Sequence, residues 1–327
     1  MENLFSAWEE FQKDKKRKKD VQKFEYNLEQ NVFRLNRDLK SKKYKHSRYL
    51  SFYICDPKVR HIHKATVKDR VLHHAVSQIL APIFEPTFIP NSFSCRIGKG
   101  NHKGTFALEK ALRKISKNNL WSCFVLKCDI RKFFENIDHE ILLKIISKKI
   151  KDEDAMWLVK EIIKSFNPGL PIGNLTSQLL ANVYLNELDQ FAKKELKIKK
   201  YFRYTDDFVI ASEDKSYLEN LIPKIQSYLL NELKLELHPN KINIKKFHQG
   251  VDFLGYVILP HYRLLRTKTK KRIFKKLKKR ISEYKNGLIN QQTLEQSLQS
   301  YLGVLSHADT YKLKQNLLNQ YWFWLNE

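Results

Sequence analysis

Acidic residues are scarce in this chain. Against 61 lysines and arginines stand 35 aspartates and glutamates, a formal charge of +26 over 327 residues. Such an excess repels itself in isolation and points to a polyanionic partner, nucleic acid first. Cysteine is nearly absent too. Cys55, Cys95, Cys123 and Cys128 form no C-x-x-C pair, which excludes a disulfide framework or a cysteine zinc site and suits a reducing compartment. The histidine pairs His61/His63 and His73/His74 lack metalloenzyme spacing and read as local packing or RNA contacts. No apolar run approaches a membrane span, and Met1 to Phe5 lacks a signal-peptide layout, so the expectation is a cytoplasmic protein with no membrane partner. Glycine and proline are few, nine of each, and no repeats or low-complexity linkers appear. The apolar share, 42%, is ample for a sizeable core in one large domain or in two to three lobes.

What is present divides the chain into three stretches. Residues 1–50 are polar and basic, and Phe5, Trp8 and Phe11 recur at helical spacing. The cationic run Lys13 to Lys19, broken only by Asp14, is either the wet face of that helix or an RNA contact. Residues 51–260 mix α and β. A helix is expected over Val67–Leu80, ending near Pro82. A buried strand, Phe124 to Asp129, stops on an acid. Asp138 then caps a helix striped by Ile141, Leu142, Ile145 and Ile146. A Pro-Gly loop at 168–173 feeds a helix from about Thr176 to Glu195, followed by a hairpin at 201–211, a helix near 215–232 and strand pieces at 241–247 and 251–258. That order suggests an antiparallel sheet backed by helices, an α+β fold. Residues 261–327 read as a separate helical lobe. In it Ile273, Leu277 and Ile281 form one stripe while Lys268, Lys271, Arg272, Lys275 and Lys279 face outward, suited to phosphates.

The hairpin carries the chemistry. Tyr201 to Ala211 places two aromatic and β-branched runs around Thr205-Asp206-Asp207. Adjacent carboxylates in a partly buried corner repel, and a multivalent cation between them and a phosphate relieves that cost. The same letters also suit an ordinary Asx turn. Asp129, a second acidic strand end, favours the functional reading. Phosphoryl transfer to a 3′-hydroxyl uses two divalent ions bridged by carboxylates from different strand ends, and magnesium suits hard oxygen ligands. Asp138, placed before a helix, reads as a cap.

The set of motifs resembles the reverse transcriptases. Cys128 to Asp138 resembles the first catalytic motif, and Tyr204-Thr-Asp-Asp207 the second. Gly169 to Asp189 is similar to the motif that positions substrate. Asn240-Lys241 and Val251 to Tyr256 match the later palm motifs, while Pro57 to Arg60, Lys68 to Val71 and Ser94 to Gly100 resemble those of the fingers. The likeness runs from about residue 50 to the C-terminus in the family's order. It implies a right-hand polymerase: a basic N-terminal helical extension over 1–50, fingers and an RRM-like antiparallel palm over 51–260, and a helical thumb over 261–327. It also implies RNA template, cDNA and dNTPs as partners and two Mg²⁺ ions. Metal ligands would be Asp129, Asp206 and Asp207, with the Ile130 carbonyl as an extra oxygen. Lys58 and Arg60 would hold the triphosphate. Phe134 occupies the position of a ring that excludes a 2′-hydroxyl, Lys241 would protonate or steady pyrophosphate, and Arg96 would touch the template. Ordinary surface charge is the competing reading for Lys58, Arg60, Arg96 and Lys241.

Most of the family has Gln after the loop proline and a later Ser-Pro; here Ile172 and Ser177-Gln178 stand instead. That form resembles the reverse transcriptases of diversity-generating retroelements, as does Tyr301 to Tyr311. The resemblance implies error-prone copying of a template-repeat RNA alongside a small basic accessory protein. An aliphatic Ile172 offers the nucleotide only a contact surface, and apolar sites reject misfits less strongly than hydrogen-bonded ones. Alternatively Ile172 packs beneath the loop while another group supplies selectivity; by resemblance, Ile172 and Gln178 are both nucleotide-binding candidates. A retron, group II intron or phage-defence enzyme, and a silent RNA-binding scaffold, stay open as alternatives.

Overall fold

A computed structural model describes residues 1–55 and 59–327. Three helices open the chain: α1 (Glu2–Gln12), α2 (Lys19–Tyr26) and α3 (Leu28–Lys40). As the spacing predicts, α1 buries one stripe, here Leu4, Ala7, Trp8 and Phe11, against α4 (Val67–Phe84) and the rest of the main core. The cationic run between α1 and α2 is mostly solvated, apart from Lys15, whose ammonium donates to the Phe11 carbonyl at 2.8 Å. On α2, Asp20 receives Lys64 at 2.7 Å and Arg70 at 2.6 Å, fastening these helices to the next elements.

An antiparallel ribbon, β1 (Leu50–Cys55) and β2 (Val59–Lys64), follows with Leu50 opposite Lys64. Tyr53, Ile54 and Val59 stay exposed on it. α4 is capped by the Thr66 hydroxyl and runs two residues past Pro82, beyond the expected stop. So close to the helix end, the missing proline N–H costs one hydrogen bond and the helix tolerates it. α5 (Asn101–Ile115) comes next, then β3 (Phe124–Asp129) with the predicted bounds. Asp138 caps α6 (His139–Ser147), accepting from the backbone N–H of Glu140 and Ile141. α7 (Glu153–Lys164) and α8 (Leu175–Gln190) lead to β4 (Tyr201–Tyr204), β5 (Asp207–Ser212), α9 (Lys215–Leu233) and β6 (Asn243–Lys246).

These strands form a four-stranded antiparallel sheet, ordered β4-β5-β3-β6. Alternation along β3 sends Leu126 and Cys128 into the main core, where helical residues such as Leu142, Leu180 and Leu229 pack. On the other face Val125 joins a second cluster with Leu108, Phe202, Val209 and Phe253. Lys127 and Asp129 share that second face, beyond where the cluster covers it.

The stretch expected as one strand over 251–258 is instead a hairpin, β7 (Val251–Phe253) and β8 (Tyr256–Ile258). Leu254 (φ +50°) and Gly255 (φ +92°) are both left-handed, as a two-residue hairpin turn requires. β9 (Arg263–Leu265) completes this smaller sheet. Finally α10 (Thr267–Lys285), α11 (Gln291–Leu305) and α12 (Tyr311–Asn326) surround a third cluster built on Ile273, Leu277 and Ile281, the predicted stripe. The fold is α+β.

Candidate active site

Asp129 ends β3 and Asp207 begins β5, and the register sets them directly opposite each other. Like charges facing across a strand pair destabilise it unless something neutralises them. Two ammonium groups do so here. Lys241 donates to Asp129 Oδ1 at 2.6 Å, and Lys127 lies 3.2 Å from Asp207 Oδ2. Burial nevertheless lifts the Asp207 carboxyl to about 6, with Lys127 opposing and Asp129 and Asp206 reinforcing the rise. Its second oxygen, Oδ1, is buried and has no hydrogen-bond partner. Asp206 occupies the tip, and its carbonyl accepts the Ile130 N–H at 3.1 Å, tying the end of β3 to the turn.

The turn itself is strained. Thr205 sits at φ +53°, a region that β-branched residues seldom enter. Surrounding contacts over-determine it. Its hydroxyl donates to Ser94 Oγ at 2.6 Å, and its carbonyl accepts from Arg203 Nη1 at 3.2 Å. Arg203 is fully buried and grips Asp189 of α8 through two 2.7 Å contacts. Asn182 accepts from the same guanidinium and donates to the Ser94 carbonyl at 2.8 Å. Arg203 and Asp189 fall inside the 201–211 hairpin and the 169–189 motif, whose resemblance assigns neither a role. The usable signal was an arginine within an apolar strand and an aspartate within an apolar helix, since each, if buried, needs the other.

A groove of about 350 Å³ opens on this corner, and its walls include Asp129, Asp207, Asn240, Lys241, Asp252 and Arg266. The carboxylates offer hard oxygen donors, and the orphaned Asp207 Oδ1 suits a small divalent cation. Among the described residues, no three His, Cys, Asp or Glu side chains converge into a closed metal cage. An ion here would therefore draw further oxygens from backbone, water or substrate phosphates, as magnesium does.

The loop before α8 is fixed at several points. The Ile172 carbonyl accepts from His63 N–H on β2 at 3.1 Å. Gly173, at φ +125°, lies where a Cβ would come 3.2 Å from Ile62. Thr176, in the first turn of α8, stands 2.7 Å from His73 Nδ1, and His73 Nε2 stands 3.1 Å from His46 Nε2. Burial pushes the His73 imidazole down to about 3, so it is neutral and can accept from Thr176. Gln178 is exposed and lines a larger cavity of about 550 Å³ between α2, β2 and α4, whose walls do not include Asp129 or Asp207. Phe134 is half-buried, its carbonyl accepting from Leu170 N–H at 2.7 Å. A Cβ on Gly169 would fall 2.1 Å from that same carbonyl, so only glycine permits the approach.

The remaining expected residues are dispersed. Arg60 is exposed on β2. Lys58 lies outside the described residues. On α10, Lys268, Lys271, Lys275 and Lys279 are exposed and Arg272 is half-buried. Arg96 is held by its surroundings. Its side chain is 7% exposed, and its nitrogens are committed to Glu85 at 2.7 Å and to the carbonyls of Ile89 and Ser92. A guanidinium bonded in this way holds the loop ahead of α5. Among the described residues, no helix is long and apolar enough to cross a membrane.

Comparison with known proteins agrees with this geometry. The family model described as reverse transcriptase (RNA-dependent DNA polymerase) matches residues 17–258. Protein YkfC of Escherichia coli is 25% identical over 244 residues, covering 62% of this chain and 64% of that protein. The group II intron-encoded protein LtrA of Lactococcus lactis is 27% identical over 276 residues, covering 62% of this chain and 44% of its own length. The retron Ec73 reverse transcriptase of Escherichia coli is 30% identical over 165 residues, or 45% of this chain and 50% of that one. The chain thus spans less than two thirds of the length of each of these relatives. A telomerase structure from Candida albicans, solved with a fragment of telomeric RNA, superposes with a TM-score of 0.50 at 12% identity, over 88% of this chain and 61% of that one. That likeness concerns the fold alone and makes it the right-hand polymerase fold. With the matched region running from before the first strand to the end of β8, this chain belongs to the reverse transcriptase family.

Proposed function

We propose that this protein is an RNA-directed DNA polymerase that joins dNTPs to a cDNA 3′ end along an RNA template. The observation that carries the reading is the cross-strand pairing of Asp129 with Asp207, with Asp206 at the adjoining turn. These carboxylates, with the Ile130 carbonyl, are the oxygens to hold divalent ions. Two magnesium ions bound there would supply activation of the 3′-hydroxyl and neutralisation of the leaving pyrophosphate. Lys241, already at the corner, is placed to pass a proton to pyrophosphate or to steady it. Arg60, with Lys58, meets the triphosphate, and the Phe134 ring meets the sugar. The exposed cations Lys268, Lys271, Lys275 and Lys279, together with Arg272, track the backbone of the template–cDNA duplex. Asp129→Ala and Asp206→Ala are expected to abolish Mg²⁺-dependent primer extension on RNA while RNA binding persists. Extension by either purified variant would overturn the assignment.

The finer reading is an error-prone enzyme of a diversity-generating retroelement, copying a template-repeat RNA with a small basic accessory protein. Ile172, in place of a hydrogen-bonding glutamine, supports it, as does the Ser177-Gln178 pair. Ile172→Gln should lower misincorporation opposite adenine, and an unchanged error spectrum would remove this role. A retron or group II intron type is the second reading, favoured by the names of two relatives. A template and variable repeat pair in the flanking DNA separates the two.

A further inference from the structure

Lys127 is the cation at the corner that the family motifs leave without a role. It lies on β3 two residues before Asp129, and so on the same face. Its ammonium is 3.2 Å from Asp207 Oδ2 and donates to the Asp252 carbonyl on β7 at 2.8 Å. The Asp252 carboxylate is itself paired with Arg266, at the start of α10.

We propose that Lys127 is a tethered counter-ion that a divalent cation must displace from Asp207, and that it sets how weakly the corner binds metal on its own. The proposal rests on reading the corner as a metal site. Its basis is the contrast between the two lysines. Lys241 is 39% exposed on a short turn and is free to swing into solvent once an ion takes Asp129. Lys127 is 20% exposed and has a backbone partner on a neighbouring sheet, so it stays within a few ångströms of Asp207 after displacement. An arriving ion therefore loses the Lys127–Asp207 attraction and retains a fixed positive neighbour. Asp207 Oδ1, buried and unpartnered, leaves half of the carboxylate's bonding capacity unused beside Lys127. The balance tips when a triphosphate adds its own negative charge, so metal would load with the nucleotide rather than ahead of it.

Terbium luminescence and Mg²⁺ competition, with no nucleotide or nucleic acid present, test this on the full chain. Lys127→Met should bind metal about tenfold more tightly than wild type, from the charge repulsion removed. Lys127→Arg, which keeps the charge, should bind as wild type does. Lys127→Gln serves as a second neutral variant should the Met variant fold poorly, with melting curves reporting folding. Asp207→Asn and Asp129→Asn are the site controls. Equal or weaker binding by the folded neutral variants, with both controls still weakening it, overturns the role of Lys127 and leaves the metal site standing. Binding insensitive to both controls overturns the metal reading itself, and this proposal with it.

Discussion

Arg203 and Asp189 are both fully buried and meet through two contacts of 2.7 Å, whereas Lys127 and Asp207 meet through one of 3.2 Å and remain 20% and 23% exposed. The first pair joins the four-stranded sheet to α8, and the second links β3 to β5 within that sheet. In the first, a bidentate fork, Asn182 and the Thr205 carbonyl engage every nitrogen of the guanidinium. In the second, one carboxylate oxygen has no partner at all. A satisfied buried pair specifies a conformation; an incompletely satisfied one at a groove is available to a ligand. The protein thus holds a rigid pair directly behind an exchangeable one, with the strained Thr205 turn between them.

The largest test of this contrast is catalytic. Asp129→Asn should cut single-turnover nucleotide addition by more than about a thousandfold, with little change in urea unfolding. A stability loss matching the loss of activity would make the corner as structural as the pair behind it. Asp189→Ala should act in the opposite manner, costing about 3–5 kcal/mol in urea unfolding because Arg203 is left buried and unpaired. A loss under about 1 kcal/mol would show that the network adapts. Next comes pH. The Asp207 carboxyl is raised from 3.8 to about 6, so the folded state holds its proton more tightly than the unfolded chain does. Its contribution to stability is present below pH 4 and is lost as pH rises through about 6. Asp207→Asn should therefore stabilise the metal-free protein by about 2–3 kcal/mol at pH 8 and by nothing at pH 4. Saturating Mg²⁺ should narrow that gap by stabilising wild type alone. The last effect has the reverse sign and the same slope per pH unit. His73 is lowered from 6.5 to about 3 by burial, so its neutral form stabilises the fold above pH 6.5. Each pH unit below that should cost about 1.4 kcal/mol until pH 3, a slope that His73→Gln would flatten.

Much of this was legible from local pattern. A strand that stops on Asp129, a hairpin bearing Asp206 and Asp207, the Asp138 cap and the Ile273–Leu277–Ile281 stripe all follow from spacing and end chemistry. Partnership was less legible. Periodicity says which face a side chain occupies, not what waits opposite, so nothing local to Arg96 announces Glu85 and two carbonyls as its partners. Lys127 carries no local signal either, since both of its partners are distant in sequence. The 251–258 stretch misled because Leu254 is an unusual residue for a left-handed turn, and only Gly255 hinted at the bend.

The contact at Gly169 links two choices that polymerases are usually described as making separately. No side chain fits between that residue and the Phe134 carbonyl, and Leu170 is bonded to the same oxygen. The segment bearing Phe134 and the loop bearing Ile172 therefore shift as one piece. On the proposed roles, in which Phe134 meets the sugar and Ile172 offers the nucleotide a contact surface, a displacement of that piece would degrade both inspections together. Ribonucleotide entry and base misincorporation should then rise and fall in step across variants of this loop, as correlated faults of one mechanical part.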